Sequence, residues 1–242
     1  EPVVLNMPEP PTDPVTGPDP NLALCNSADA GVNRDALMNV DCPSLSAYHL
    51  YTDAHDPRKG AQGGVAYDLT TPLFTDYANK YREVILPPGT SATYKSAGTF
   101  DFPVGTVISK TFALPQAGAP EKIMETRLLI HRNNGWVALP YQWKSDMSDA
   151  ALVIGGASVT TEVLKADGET ATTHYAIPNV NQCTTCHQAN LPIGPKAGFL
   201  NKPHQYGETE ENQLMHWASA GVLSGLPGNL ADVPYFPVWN NP

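Results

Sequence analysis

Between Val65 and Pro178, apolar and polar residues alternate along short runs that end at proline or glycine. "REVILPPG" (Arg82 to Gly89), "FPVGTVISKTFALP" (Phe102 to Pro115) and "KIMETRLLIH" (Lys122 to His131) are rich in β-branched and aliphatic side chains, the composition of strands. A period of two sends successive side chains to opposite faces, so the alternation predicts antiparallel strands with one buried face. Asn134-Gly135 separates "METRLLIH" from "WVALPYQW", and Asp167-Gly168 separates "SVTTEVL" from "TATTHYAI". Both dipeptides tolerate the left-handed backbone that tight hairpins need. The expectation is a β-sandwich or open barrel of about eight strands over residues 65–178.

After Pro178 the period changes. "CTTCHQAN" is expected to open or form a short helix. "ETEENQLMHWASAGVLSG" (Glu208 to Gly225) is predicted to be one amphipathic helix. Acidic residues occupy its first turn, Leu214, Trp217, Ala218 and Gly221 recur at helical spacing, and Gly221 or Gly225 ends it. Ahead of the strands, "EPVVLNMPEPPTDPVTGPDP" carries seven prolines and no period, which predicts an extended polyproline-like tail. Four regions follow: a tail over 1–24, an irregular region over 25–64, the antiparallel β body over 65–178 and a helical segment over 179–242. The fold class is mainly β with a small C-terminal α-helical segment.

Composition sharpens this picture. Proline is frequent, at 24 of 242 residues, which argues against long helices. The net charge of −10 disfavours nucleic acid as a partner, and no apolar window is long enough to span a bilayer. The chain starts at Glu1, consistent with removal of a leader. Cys25 and Cys42 flank a polar stretch rich in Asn and Asp that needs a staple to stay ordered. A disulfide between them is expected, worth about 3 kcal/mol on the chain-entropy model. Two unrelated buried thiols are the alternative. Such a bond points to an oxidising, exported location, periplasmic or extracellular.

The remaining cysteines lie in "NQCTTCHQAN" (Asn181 to Asn190). Cys183 and Cys186 are two residues apart and His187 follows directly. This Cys-x-x-Cys-His spacing suits two thioethers to one haem, with the histidine as axial ligand. Structural zinc needs a second ligand pair, and Cys25 and Cys42 are too far apart to form one. A thioredoxin-like dithiol needs a βαβ context, and the strands here read as hairpins. The cofactor expected is one covalent haem c, held by Cys183, Cys186 and His187. Across the iron, Met215 is the first candidate, because a thioether on a helix after the attachment site suits an electron-transfer site. His216 and His204 are the alternatives. Met124, His131, Met147 and His174 are more distant ones.

Beyond the pentad, "YDLTTPLFTDYANKYREVILPPGT", "FPVGTVISKTFAL", "METRLLIHRNNGWVALPYQW", "IPNVNQCTTCHQANLPIGPKAGFLN" and "ENQLMHWASAGVL" occur in a fixed order. The chain thereby resembles a family of exported bacterial c-type cytochrome domains with no assigned biochemical role. The resemblance covers about residues 45–226 and is most specific from Ile177 to Asn201. It implies a haem-bearing C-terminal segment on a mainly β domain and carries over Cys183, Cys186 and His187 alone. Three functions are then open. The first is single-electron transfer between redox partner proteins, and the second a haem enzyme or gas sensor with an open or labile sixth position. The third is a subunit of a homo-oligomer or filament assembled through residues 1–24. The first, which is not an enzyme, is the leading expectation.

Overall fold

The computed structural model describes residues 20–187 and 192–238. In chain order its strands are β1 (Gly64–Ala66), β2 (Asn79–Ile85), β3 (Ala92–Thr93), β4 (Val107–Gln116), β5 (Ala119–Arg132) and β6 (Gly135–Trp143). They continue with β7 (Ala150–Leu152), β8 (Ala157–Leu164), β9 (Thr170–Ile177), β10 (Pro203–Tyr206), β11 (Thr209–Asn212) and β12 (Leu223–Ser224). Four short α-helices accompany them: α1 (Arg34–Asn39), α2 (Val180–Cys186), α3 (Ala197–Leu200) and α4 (Gln213–Ser219). The fold is mainly β, and none of the described helices is long and apolar enough to cross a membrane. Frequent prolines and helices of no more than seven residues go together.

The frame is a six-stranded sheet in the order β1-β2-β4-β5-β6-β7, antiparallel throughout. Three two-stranded sheets stand beside it: β8–β9, β10–β11 and the parallel pair β3–β12. Both hairpins read from turn chemistry form. Arg132 pairs with Gly135, whose φ of 115° only glycine adopts without strain, and Leu164 pairs with Thr170 around Gly168.

The central sheet departs from the expected single buried face. Along β4, Val107, Thr111 and Ala113 are buried on one side, and Ile108, Phe112 and Leu114 on the other. One face is covered by the N-terminal region: the 3-10 turn Pro20–Asn26, α1 and the turn Leu45–Tyr48, which bring Leu37, Leu45 and Tyr48 onto the sheet. The other face is covered in two parts. Leu200, Leu214, Trp217 and Leu223 pack on Val84, Ile108 and Leu129, while Val163, Tyr175 and Ile177 of the β8–β9 hairpin pack on Phe112 and Leu114. Alternation of apolar and polar positions understated burial, because Ser109, Thr111 and Thr126 are buried with hydrogen-bond partners.

Cys25 and Cys42 are joined by a disulfide, which fastens the 3-10 turn to the chain just after α1. Residues 20–24, assigned above to an extended tail, belong to that turn, and residues 1–19 lie outside the described residues.

The single helix expected over 208–225 is also corrected. Thr209–Asn212 pairs with Pro203–Tyr206 as a hairpin about Gly207, whose φ is 60°. Glu208 therefore lies in the hairpin turn and Glu210 and Glu211 in a strand, and the helix starts only where the Asn212 side chain caps the Leu214 N–H. Gly221, one of the two expected stops, ends it. The N–H groups of Gly221 and Val222 return to the carbonyls of Ala218 and Trp217, with φ of 72° at the glycine.

Candidate functional site

The local sequence dictates how α2 is set. Pro178 ends the β9 run, and Asn179 caps the helix reciprocally with Gln182. The Asn179 Oδ1 accepts from the Gln182 N–H at 2.8 Å, and the Gln182 Oε1 accepts from the Asn179 N–H at 2.9 Å. The loop before β8 holds this junction from below. The Val180 N–H donates to the Ile154 carbonyl, and Gly156 lies so close that a Cβ would sit 2.7 Å from the Ile177 oxygen. Its φ of 76° reinforces the need for glycine there.

His187 is the C-cap of α2, its N–H donating to the Cys183 carbonyl at 3.0 Å. Residues four apart share one face of a helix, which is why Cys183 and His187 look the same way. Both line a cavity of about 440 Å³ on the face of the sheet covered by the C-terminal region. Cys186 is the last residue of α2, and its side chain lies outside the described residues. Leu69, Ile108, Leu129, Ala138 and Phe199 make much of the wall. Among the described charged side chains only cations line it: Arg82, Lys110, Arg127 and Lys196.

These cations are arranged by register. Arg82 on β2 pairs with Lys110 on β4, and Lys110 pairs with Arg127 on β5, so three basic residues lie directly across three strands. Arg82 donates to Asp68 at 2.8 Å, and Arg127 grips Glu125 through Nε at 2.8 Å and Nη2 at 2.5 Å. Lys110 forms no ion pair among the described residues, and its Nζ lies 4.7 Å from the Phe112 ring centroid. Arg127 stacks over the same ring at 4.4 Å. Burial pulls the Lys110 ammonium down to about 7, and the charges of Arg82, Arg127 and Lys80 push it the same way.

That shift sets the sign of a pH dependence. Below about pH 7 the ammonium is charged in both folded and unfolded chains. Between about 7 and the ordinary 10.5 only the unfolded chain keeps the proton, so stability rises with pH across that window. For the chain prepared without cofactor or added anion, denaturant midpoints at two pH values inside the window should show this rise. Lys110→Met should flatten it, and an equal slope in both proteins would refute the assignment to Lys110.

The other predicted residues lie elsewhere. Met215 is 45% exposed on α4 and does not line the cavity. His216 on the same helix is hydrogen-bonded through Nδ1 to Glu211 at 2.7 Å and stacks on Tyr206 at 3.5 Å. His204 meets the same tyrosine edge-on. Met124 is buried under the β8–β9 hairpin, and His131 stacks on Trp136 and donates to the Phe102 carbonyl. His174 bonds Thr160, and Met147 packs against the opposite core. None of these lines the cavity with Cys183 and His187.

The residues present fit a haem. An apolar wall suits the macrocycle, cations suit its two carboxylates, and ligand cavities span roughly 300–1,000 Å³. Among the described residues no group of three or more His, Cys, Asp or Glu could hold a metal ion. A porphyrin brings four nitrogen donors of its own, so haem asks the chain for only one or two ligands. Comparison with family models, with curated proteins and with solved structures finds no match.

The cationic wall was missed in the sequence. Its signal was present in "VISKTFAL", where Lys110 takes an inward position between Ile108 and Phe112. Arg82 and Arg127 give a weaker signal, with Lys80 and Glu125 two residues before them, and only the register brings the three together.

Proposed function

We propose that this chain is a monohaem c-type cytochrome that carries single electrons between exported redox partner proteins. The observation supporting the reading is the placement of Cys183 and His187 on one face of a capped helix, both lining an apolar, cation-bearing cavity. Haem c bound there would supply a one-electron iron couple. Cys183 and Cys186 would hold it through thioethers and His187 through a ring nitrogen. The sheet wall would shield it from water, and the net charge of −10 favours docking of basic partners. Support for export comes from the Cys25–Cys42 disulfide, a bond that persists in oxidising compartments.

A second reading, a haem enzyme or gas sensor with an open or labile sixth position, gains from one observation. Met215, His216 and His204 all lie away from the cavity lining. Expression in a host equipped for c-type haem attachment tests both. The purified chain should carry one haem by intact mass, and the Cys183→Ser/Cys186→Ser variant none. An unmodified wild-type mass would sink both readings. If the haem is present, a reduced spectrum unaltered by carbon monoxide favours electron transfer, and rapid carbon monoxide binding favours the enzyme or sensor.

A further inference from the structure

The chain has 24 acidic and 14 basic side chains, yet four basic and no acidic ones line the described cavity. This inversion is local and is built into the sheet. Like charges directly opposite in neighbouring strands are destabilising, and here three stand in one row: Arg82, Lys110 and Arg127. Two are partly neutralised. Asp68 accepts from Arg82, whose side chain is 3% exposed, and Glu125 accepts from Arg127. The middle member, Lys110, has a flat aromatic ring beneath it and no carboxylate in ion-pair contact among the described residues. A desolvated ammonium between two guanidinium groups is costly, and proteins retain such conflicts where a ligand relieves them.

We propose that the Arg82–Lys110–Arg127 row is a carboxylate seat on the sheet wall of the cavity, with Lys110 as its central donor. Lys196, which also lines the cavity, adds positive charge beside it. Phe112 backs Lys110 and Arg127 from the sheet, leaving an incoming carboxylate to supply the acid partner Lys110 lacks. Two sources share that chemistry: the carboxylate side chains of a haem held by α2, and a free organic carboxylate entering the cavity. The first rests on the cytochrome reading above, and the second does not.

The test uses the full chain, its Lys110→Met variant and the conservative Lys110→Arg variant, each checked for haem by intact mass. In haem-loaded protein the haem carboxylates are labelled with carbon-13 and read by infrared difference spectroscopy. If they occupy the seat, their stretch shifts in Lys110→Met, returns toward wild type in Lys110→Arg, and added succinate gives no binding heat. If the source is free carboxylate, the labelled band does not move. Succinate then binds wild type by calorimetry, about tenfold or more tighter than Lys110→Met, the loss expected for one charge-assisted hydrogen bond. A motionless band together with no Lys110-dependent succinate binding would overturn the seat. A chain without haem by mass would sink both haem readings but not the seat, which the succinate arm would then decide by itself.

Discussion

Replacing Glu125 with alanine should lower the unfolding free energy by about 3 kcal/mol, the low end of the cost of stripping one partner from a buried ion pair, because the Arg127 left behind is 29% exposed. Glu125 is 0% exposed and accepts three hydrogen bonds. Two come from the Arg127 guanidinium, and the third comes from the Tyr175 hydroxyl at 2.6 Å. Tyr175 lies on β9, so this carboxylate ties the β8–β9 hairpin to β5 of the central sheet. Burial pushes the Tyr175 hydroxyl up from its ordinary value, and the Glu125 charge pushes it further. The phenol therefore stays a donor at neutral pH. Removing the carboxylate leaves the half-buried guanidinium without its counter-charge and the buried phenol without an acceptor. It also adds an unneutralised charge to the row facing the cavity. Tyr175→Phe removes only the neutral donor and should cost about 1 kcal/mol. Urea denaturation of the two variants separates the contributions. A loss below about 1 kcal/mol for Glu125→Ala would mean that the pair is not a net support of the hairpin.

The second large effect is expected from the Cys25–Cys42 disulfide. The double replacement Cys25→Ala/Cys42→Ala should cost about 3 kcal/mol, and the range for native bridges of small loops is roughly 2–5 kcal/mol. The bridge closes a loop with a sequence separation of 17 and holds the 3-10 turn Pro20–Asn26 against α1. Around it stands a polar network that the bridge keeps in register. The Cys42 N–H donates to the Tyr48 hydroxyl, which donates to the Val40 carbonyl, while the Tyr141 hydroxyl donates to the Cys42 carbonyl. Those bonds link the N-terminal layer to β6 of the sheet, so loosening the loop exposes Leu37, Leu45 and Tyr48 together. Guanidinium denaturation of wild type with and without dithiothreitol provides the same comparison without mutation. Coincident curves would show that the N-terminal layer stands on its packing alone.

Both effects bear on how much could be read from the residues alone. Cys25 and Cys42 were legible because a polar, Asn-rich stretch with no apolar period cannot order itself without a cross-link. The hairpins at Asn134-Gly135 and Asp167-Gly168 were legible because the left-handed turn conformation is a property of a few adjacent residues. A short helix at "CTTCHQAN" was expected as well, while its start at Val180 and the reciprocal Asn179–Gln182 cap emerged only in the structure. The helix expected over 208–225 failed at its start for a tertiary reason. The acidic residues there had equal local sense in a helix, but pairing with Pro203–Tyr206 satisfied their backbone groups as a strand.

What the sequence by itself determined is thus local: the β character of residues 65–178, two tight turns, the disulfide partners and a short helix at Cys183. Tertiary structure alone decided which side chains share the cavity. It placed Met215, His216 and His204 away from that cavity and set Arg82, Lys110 and Arg127 across it in one row. The physical reason is range. Turns and caps are satisfied within a few residues, whereas strand register and the covering of both sheet faces are settled by contacts between segments far apart in the chain.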